Sequence, residues 1–157
     1  MKDATKQETG PSSYNPTRTI EGAGALIYCT KTKRYLFLLR NTRKHAGTWG
    51  LVGGKLNPGE IPTVGLFREI NEELTTRLDA QKIIPIETFT SDNSNFVYHT
   101  FMIVVEDEFV PVLNDEHRGY CWVKIEDHPK PLHPGVWRSF NFKSILSKIK
   151  TIEKLHL

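Results

Sequence analysis

The sequence predicts one α/β (α+β) domain, a mixed sheet packed between helices. Three observations carry this. Strand-like apolar runs lie both before and after a central amphipathic segment, a second amphipathic segment closes the chain, and 157 residues suit one domain with a sizeable core. Hydrophobic residues make up 38% and charged residues 25%, which excludes collagen-like and wholly disordered classes. No stretch approaches the ~18 consecutive apolar residues of a membrane span. Lysine plus arginine number 21 against 18 aspartate plus glutamate, and a net charge of +3 is too mild to argue for a nucleic-acid-binding surface.

Residues 1–17 contain Gly10, Pro11, Ser12, Ser13, Asn15 and Pro16, the composition of a flexible tail, so the folded domain is expected over 18–157. The first residues are polar, with no apolar run of the kind a secretory signal needs. Residues 23–30 (AGALIYCT) read as a buried strand, 31–34 as a polar turn, and 35–40 (YLFLLR) as a second strand. A polar loop covers 41–48. Residues 49–52 are a short apolar piece, and Gly53, Gly54, Pro58 and Gly59 mark a further loop. Residues 60–74 read as a helix. Pro62 falls in its first turn, where a missing N–H costs little, and Val64, Phe67, Ile70 and Leu74 recur at helical spacing. Further strands are expected at 83–89, 96–105 and 119–125, with a turn at 91–95 (SDNSN). Pro134 opens a second amphipathic helix with Phe142, Ile145, Leu146, Ile149 and Ile152 on its apolar side. Lys143, Lys148, Lys150 and Lys154 lie on a face expected to be solvated. Cys29 and Cys121, both in apolar strand-like runs, have no neighbouring cysteine and read as reduced core residues, which fits a cytoplasmic protein.

The segment 54–76 (GKLNPGEIPTVGLFREINEELTT) carries the chemistry. Glu69, Glu72 and Glu73 stand at i, i+3 and i+4, so on a helix they project over a sector of roughly 100°. The apolar stripe points largely the other way, which predicts one face on the sheet and three carboxylates on the opposite face. An acidic solvated face is the plain alternative. Context argues against it: a glycine-rich loop with free backbone carbonyls leads into the carboxylate helix, and carboxylates with carbonyls are hard oxygen donors suited to Mg²⁺ or Mn²⁺. A nucleotide P-loop is excluded, because Trp49 stands where its first glycine would be and Leu56 where it needs Ser or Thr. No G-x-G-x-x-G dinucleotide pattern follows a strand.

This segment resembles the Nudix box of Nudix hydrolases, G-x5-E-x7-R-E-U-x-E-E-x-G-U, where U is a bulky aliphatic residue. Gly54, Glu60, Arg68, Glu69, Ile70, Glu72 and Glu73 all fall on motif positions. Thr75 replaces the final glycine, Thr76 replaces the final aliphatic residue, and Val52 stands where many relatives have proline. The resemblance implies a Nudix-like α/β/α sandwich over about 19–157. It also implies a divalent-metal pyrophosphohydrolase that cleaves a nucleoside diphosphate linked to another moiety, a nucleotide-sugar among the options. By motif position, Glu69 and Glu73 are expected as ligands of Mg²⁺ (Mn²⁺ as substitute), and Glu72 as a ligand or the holder of water on the ion. The carbonyl of Gly54 or Gly53 would complete the shell. Glu60 and Arg68 are expected to pair and fix the loop against the helix. A carboxylate must also take the proton of the attacking water, and it comes from the box or from a later loop. Glu116, in the turn before the 119–125 strand, is the later candidate as base and further metal ligand.

Other residues keep two readings. Arg40, Arg43, Lys44 and Lys55 flank the glycine loop and are either phosphate contacts or surface charge. Trp49, Phe96, Tyr98 and Phe101 either stack on a base or fill the core. His117 is a weaker base candidate than Glu116, and His128 and His133 read as a rim. The alternative to an enzyme is a non-catalytic module that binds a nucleotide such as ADP-ribose. RNA-cap removal is a weaker third idea, since no basic stripe supports it. Nucleic acid and membrane are not expected partners, and a homodimer is compatible with the sequence.

Overall fold

The computed structural model describes residues 19–75 and 78–156. The tail expected at 1–17 and the Thr76 position of the box lie outside the described residues. The strands are β1 (Ile20–Cys29), β2 (Arg34–Arg40), β3 (Trp49–Gly50), β4 (Val52–Lys55), β5 (Lys82–Thr90), β6 (Phe96–Val105) and β7 (His117–Val123). The helices are α1 (Pro62–Leu74), α2 (Pro134–Phe140) and α3 (Lys143–Leu155), with a 3-10 turn at Ile125–Asp127. Among the described residues no helix is long and apolar enough to cross a membrane.

β1 is the spine of a mixed sheet. It runs parallel to β6 from Ile20↔Phe96 to Cys29↔Val105. Its other edge is shared, antiparallel, by β4 at Gly22–Ala25 and by β2 at Ile27–Cys29. β2 also pairs with β3 and β7, and β5 closes the far edge against β6. A strand covered on both faces has no polar side, which is why 23–30 is a continuous apolar run. Ala23, Ala25, Ile27 and Cys29 enter one core with Leu66, Ile70 and Leu74 of α1. Leu26 and Tyr28 enter the other, with Val136 of α2 and Ile149 and Ile152 of α3. The predicted sandwich is thus the observed one, with α1 on one face and α2 and α3 on the other. Cys29 is buried, Cys121 is half-buried, and both are free thiols.

Several expectations need correction. Gly53 and Gly54, expected in a loop, lie in β4, paired with Gly24 and Ala23 of β1. The buried stripe of α1 is Gly65, Leu66, Ile70, Glu73 and Leu74, with Phe67 partly covered, while Val64 is 57% exposed. The helix starts at Pro62, two residues later than predicted; spacing fixes the relative positions of these residues, and the packing of α1 on the sheet decides which of them are covered. The closing helix is two helices. Asn141 Nδ2 bonds back to the Trp137 carbonyl (2.8 Å), competing with the backbone ladder, and Phe142 takes an extended conformation. Phe142 is consequently 49% exposed, outside the core. The lysine face is also partly engaged: Lys148 bonds the Ile86 carbonyl (3.0 Å) and Lys150 pairs with Glu126.

Two local features shape the site. Pro85 is tolerated because β5 is an edge strand, and the register shifts between Pro85↔Phe101 and Glu87↔Thr100. This bulge changes parity, so Ile86, Glu87 and Phe89 all line the same cleft. Thr75 ends α1 in the left-handed region (φ 45°, ψ 35°), so the turn that the family makes with glycine is kept with a β-branched residue. Thr75→Gly is expected to stabilise the protein by ~1 kcal/mol in denaturant melts. A variant no more stable than the parent would show that the turn carries no strain.

Candidate active site

Arg68 organises the acidic helix. Its guanidinium grips Glu60 with two bonds, Nε to Oε2 at 3.0 Å and Nη2 to Oε1 at 2.9 Å, and Nη2 also reaches the Lys55 carbonyl at 3.1 Å. The Glu60 carboxylate also accepts the Asn57 N–H at 2.9 Å. One side chain therefore ties the loop 55–60 to α1. Hydrogen bonding to Arg68 first, then to Asn57, holds the Glu60 pKa down to about 2. The remaining Arg68 nitrogen, Nη1, stands 3.4 Å from both Glu69 and Glu72.

The three box glutamates are not equivalent. Glu72 is the exposed one, its side chain 57% accessible. Glu69 is largely covered and packs on Gly54, where an added Cβ would stand 2.6 Å from its carboxyl carbon. Glu73 is only 2% exposed and accepts the Gly53 N–H at 3.3 Å. The expected picture of three carboxylates opposite the sheet is thereby corrected: they straddle the seam between α1 and β4, with Glu73 on the sheet side. Burial first, then the charges of Glu116 and Glu69, push the Glu73 pKa up to about 8, against the opposing Gly53 N–H and Arg40 charge. Glu69 is raised too, by burial and by Glu72 and Glu116, with Arg68 opposing.

Glu116 joins this group through a built loop. Asn114 donates from Nδ2 to the Glu72 carbonyl (3.0 Å) and accepts the Glu116 N–H on Oδ1 (2.9 Å). The Asn41 N–H bonds the Glu116 carbonyl (2.8 Å). One amide thus fastens the Glu116 turn to the end of α1. Its neighbour His117 is 5% exposed, and neither ring nitrogen has a partner among the described residues. Burial and then the Arg40 charge push its pKa down to about 4, so the ring is neutral at pH 7.

Among the described residues no three acidic, histidine or cysteine side chains form a ready-made metal cage. Arg68 stands between Glu69 and Glu72 instead. The donor set nonetheless fits a hard divalent cation. Four carboxylates influence one another at one seam, two of them hold their protons more tightly than usual because of burial and like charge, and glycine at 54 leaves Glu69 close to the β4 backbone.

Next to this seam lies a cleft of about 870 Å³ between the sheet and the α2–α3 layer. Gly53, Gly54 and Lys55 form one wall, Arg40 and Lys44 also line the cleft, and Phe89, Phe96 and Tyr98 line the sheet side. The Tyr98 ring crosses β1 where glycine leaves room: a Cβ at Gly24 would stand 2.3 Å from its hydroxyl. Phe96 stacks on Tyr98 with centroids 6.2 Å apart. The two readings of the aromatic residues are resolved individually, since Phe101 is core and Trp49 packs against the α3-side core. Of the basic residues, Arg43 does not line the cleft. His133 lines it as the N-cap of α2, and His128 packs on Phe140. Glu87, Thr100 and Arg138 also line it, and sequence reasoning missed all three. For Glu87 the available signal was Pro85 inside a strand-like run, because it marks a bulge and hence a change of face.

The family model described as NUDIX domain matches residues 19–142. Over 111 residues the chain is 33% identical to the nucleoside triphosphatase NudI of Escherichia fergusonii, covering 64% of this chain and 79% of that one. The fold superposes on the MutT protein of Methanosarcina mazei Go1 with TM-score 0.65 and 29% identity, over 87% of this chain and 99% of the other. It is also similar to the NUDIX domain of Shewanella oneidensis NrtR, solved with ADP ribose, at TM-score 0.67, covering 87% and 94%; at 14% identity that likeness is one of fold. The chain belongs to the Nudix family and is a hydrolase acting on pyrophosphate bonds.

Proposed function

We propose that this hydrolase cleaves a nucleoside diphosphate linked to another moiety with Mg²⁺ as cofactor, releasing a nucleoside monophosphate, and that the moiety is phosphate, making the substrate a nucleoside triphosphate. The observation that carries the reading is the placement of buried Glu73 and largely covered Glu69 against Gly53 and Gly54, which are themselves a wall of the aromatic cleft. The name of the NudI relative supports the triphosphate.

In this reading Glu69 and Glu73, with the Gly54 carbonyl, hold the cation, and Glu72 and Glu116 complete its surroundings. A divalent ion there supplies charge neutralisation for the phosphates and acidifies water. The chain does the rest. Arg68 and Glu60 keep the loop and helix in one geometry, Arg40, Lys44 and Lys55 offer positive charge to the phosphates, and the cleft aromatics hold the nucleoside. A Glu116 carboxylate oxygen takes a proton from the attacking water as its oxygen bonds to phosphorus, the bridging P–O bond breaks, and pyrophosphate leaves.

Purified protein with Mg²⁺ and nucleoside triphosphates should release monophosphate and pyrophosphate, read by mass. Release of diphosphate and inorganic phosphate would place the cleavage elsewhere. Tight binding without product would favour the non-catalytic module.

A further inference from the structure

The cleft extends away from the carboxylate seam to Thr100 and Glu87, passing over the Tyr98 ring that covers Gly24, and the strand pairing beneath it measures the span. Gly53 of β4 is paired with Gly24 of β1, Gly24 with Thr100 of β6, and Thr100 with Glu87 of β5. Neighbouring strands are about 4.8 Å apart, so Glu87 stands roughly 14 Å across the sheet from Gly53 of β4. That suits an extended nucleotide whose phosphates lie at Gly53 and Gly54. The next row, two residues along, brings Phe89 opposite Tyr98.

At this far end Arg138 of α2 is held on several sides. Its Nη2 bonds Glu87 Oε2 at 2.6 Å and Ser139 Oγ at 3.3 Å, and Ser139 Oγ donates to Glu87 Oε1 at 2.9 Å. Its guanidinium carbon lies 4.4 Å from the Phe89 ring centroid and 5.1 Å from that of Phe142. Both Glu87 oxygens are engaged. Arg138 Nε and Nη1 have no acceptor among the described residues, and Arg138 lines the cleft. A guanidinium offers donors only.

We propose that Arg138, preset by Glu87, Ser139 and Phe89, reads the edge of the substrate's nucleobase and selects bases that present oxo acceptors, guanine and uracil or thymine, over adenine and cytosine. With both Nη2 hydrogens committed to Glu87 and Ser139, Nη1 is left as a single donor for guanine O6 or uracil O4; adenine and cytosine place an amino donor at the corresponding position. The bulge at Pro85 is what brings Glu87 to this face, so the selectivity is built on a feature of this chain outside the Nudix box. The proposal rests on the nucleotide reading of the cleft.

The test compares kcat/KM for GTP, UTP, ATP and CTP with Mg²⁺ in the parent, Arg138→Lys and Arg138→Gln. It also measures calorimetric binding of GMP, UMP, AMP and CMP. Arg138→Lys keeps a cation beside Glu87 and loses the Nη1 donor of the planar group stacked on Phe89, and melting curves check that both variants fold. The parent should favour GTP and UTP by about tenfold or more, expressed mainly in KM. Both variants should bring that ratio to within about twofold. Equal turnover of all four bases, or a ratio unmoved in both variants, overturns the proposal. If no triphosphate is cleaved, the proposed activity fails and base reading is judged by the monophosphates alone. Tighter GMP and UMP binding, lost in Arg138→Lys, upholds it; equal or absent binding overturns it.

Discussion

Glu73→Gln is expected to abolish hydrolysis, with kcat lower by roughly 10²-fold or more, while making the metal-free protein more stable at pH 8. The two effects have one cause. Glu73 is buried against the Gly53 N–H with Glu69 and Glu116 pressing on it, and its pKa rises from the ordinary 4.5 to about 8. Between those values the folded protein holds a proton that the unfolded chain releases. Stability associated with this group is therefore full below about 4.5 and lost as pH rises through about 8. Glutamine does not titrate, and its carbonyl oxygen still accepts the Gly53 N–H. Parent and variant should differ least near pH 4, and the variant should lead by on the order of a few kcal/mol at pH 8. Magnesium should raise the parent's melting midpoint at pH 8 and leave the variant's unmoved. Full activity in the variant, or a stability gap that does not widen with pH, would remove Glu73 from the proposed role.

The parts of this molecule that were legible in sequence are those written locally. β6 is found at the bounds its apolar run predicts, and Glu60 and Arg68, eight residues apart, meet because a loop and a helix turn of fixed length separate them. What stayed hidden depended on contacts between distant segments. The i, i+3, i+4 spacing of the glutamates gives their angular spread but not the angle at which α1 sits on the sheet, and that angle buries Glu73 while leaving Val64 out. Glu87 reaches the cleft only because the strand bulges after Pro85, and it meets Arg138 across 51 residues of chain. Glu116 reads as a turn residue until Asn114 is seen fastening its loop to α1.

Arg68→Met is expected to lower activity by about 10–100-fold and to lower the melting midpoint near neutral pH. The substitution removes the fork on Glu60, the bond to the Lys55 carbonyl, and the charge between Glu69 and Glu72, so three acidic groups lose their common counter-ion. The pH dependence identifies which loss matters for stability. Glu60 is held well below its ordinary value, at about 2, chiefly by Arg68. Its contribution is present above about 4.5 and fades as pH falls through about 2, so the midpoints of parent and variant should converge over that window. Arg68→Lys separates charge from geometry. An ammonium restores a positive point beside Glu69 and Glu72 but cannot hold both Glu60 oxygens while bonding the Lys55 carbonyl in the same plane. If the loop's fixed position against α1 is what activity requires, the lysine variant should recover stability at neutral pH more fully than turnover. Equal recovery of both would show that Arg68 acts only as a charge.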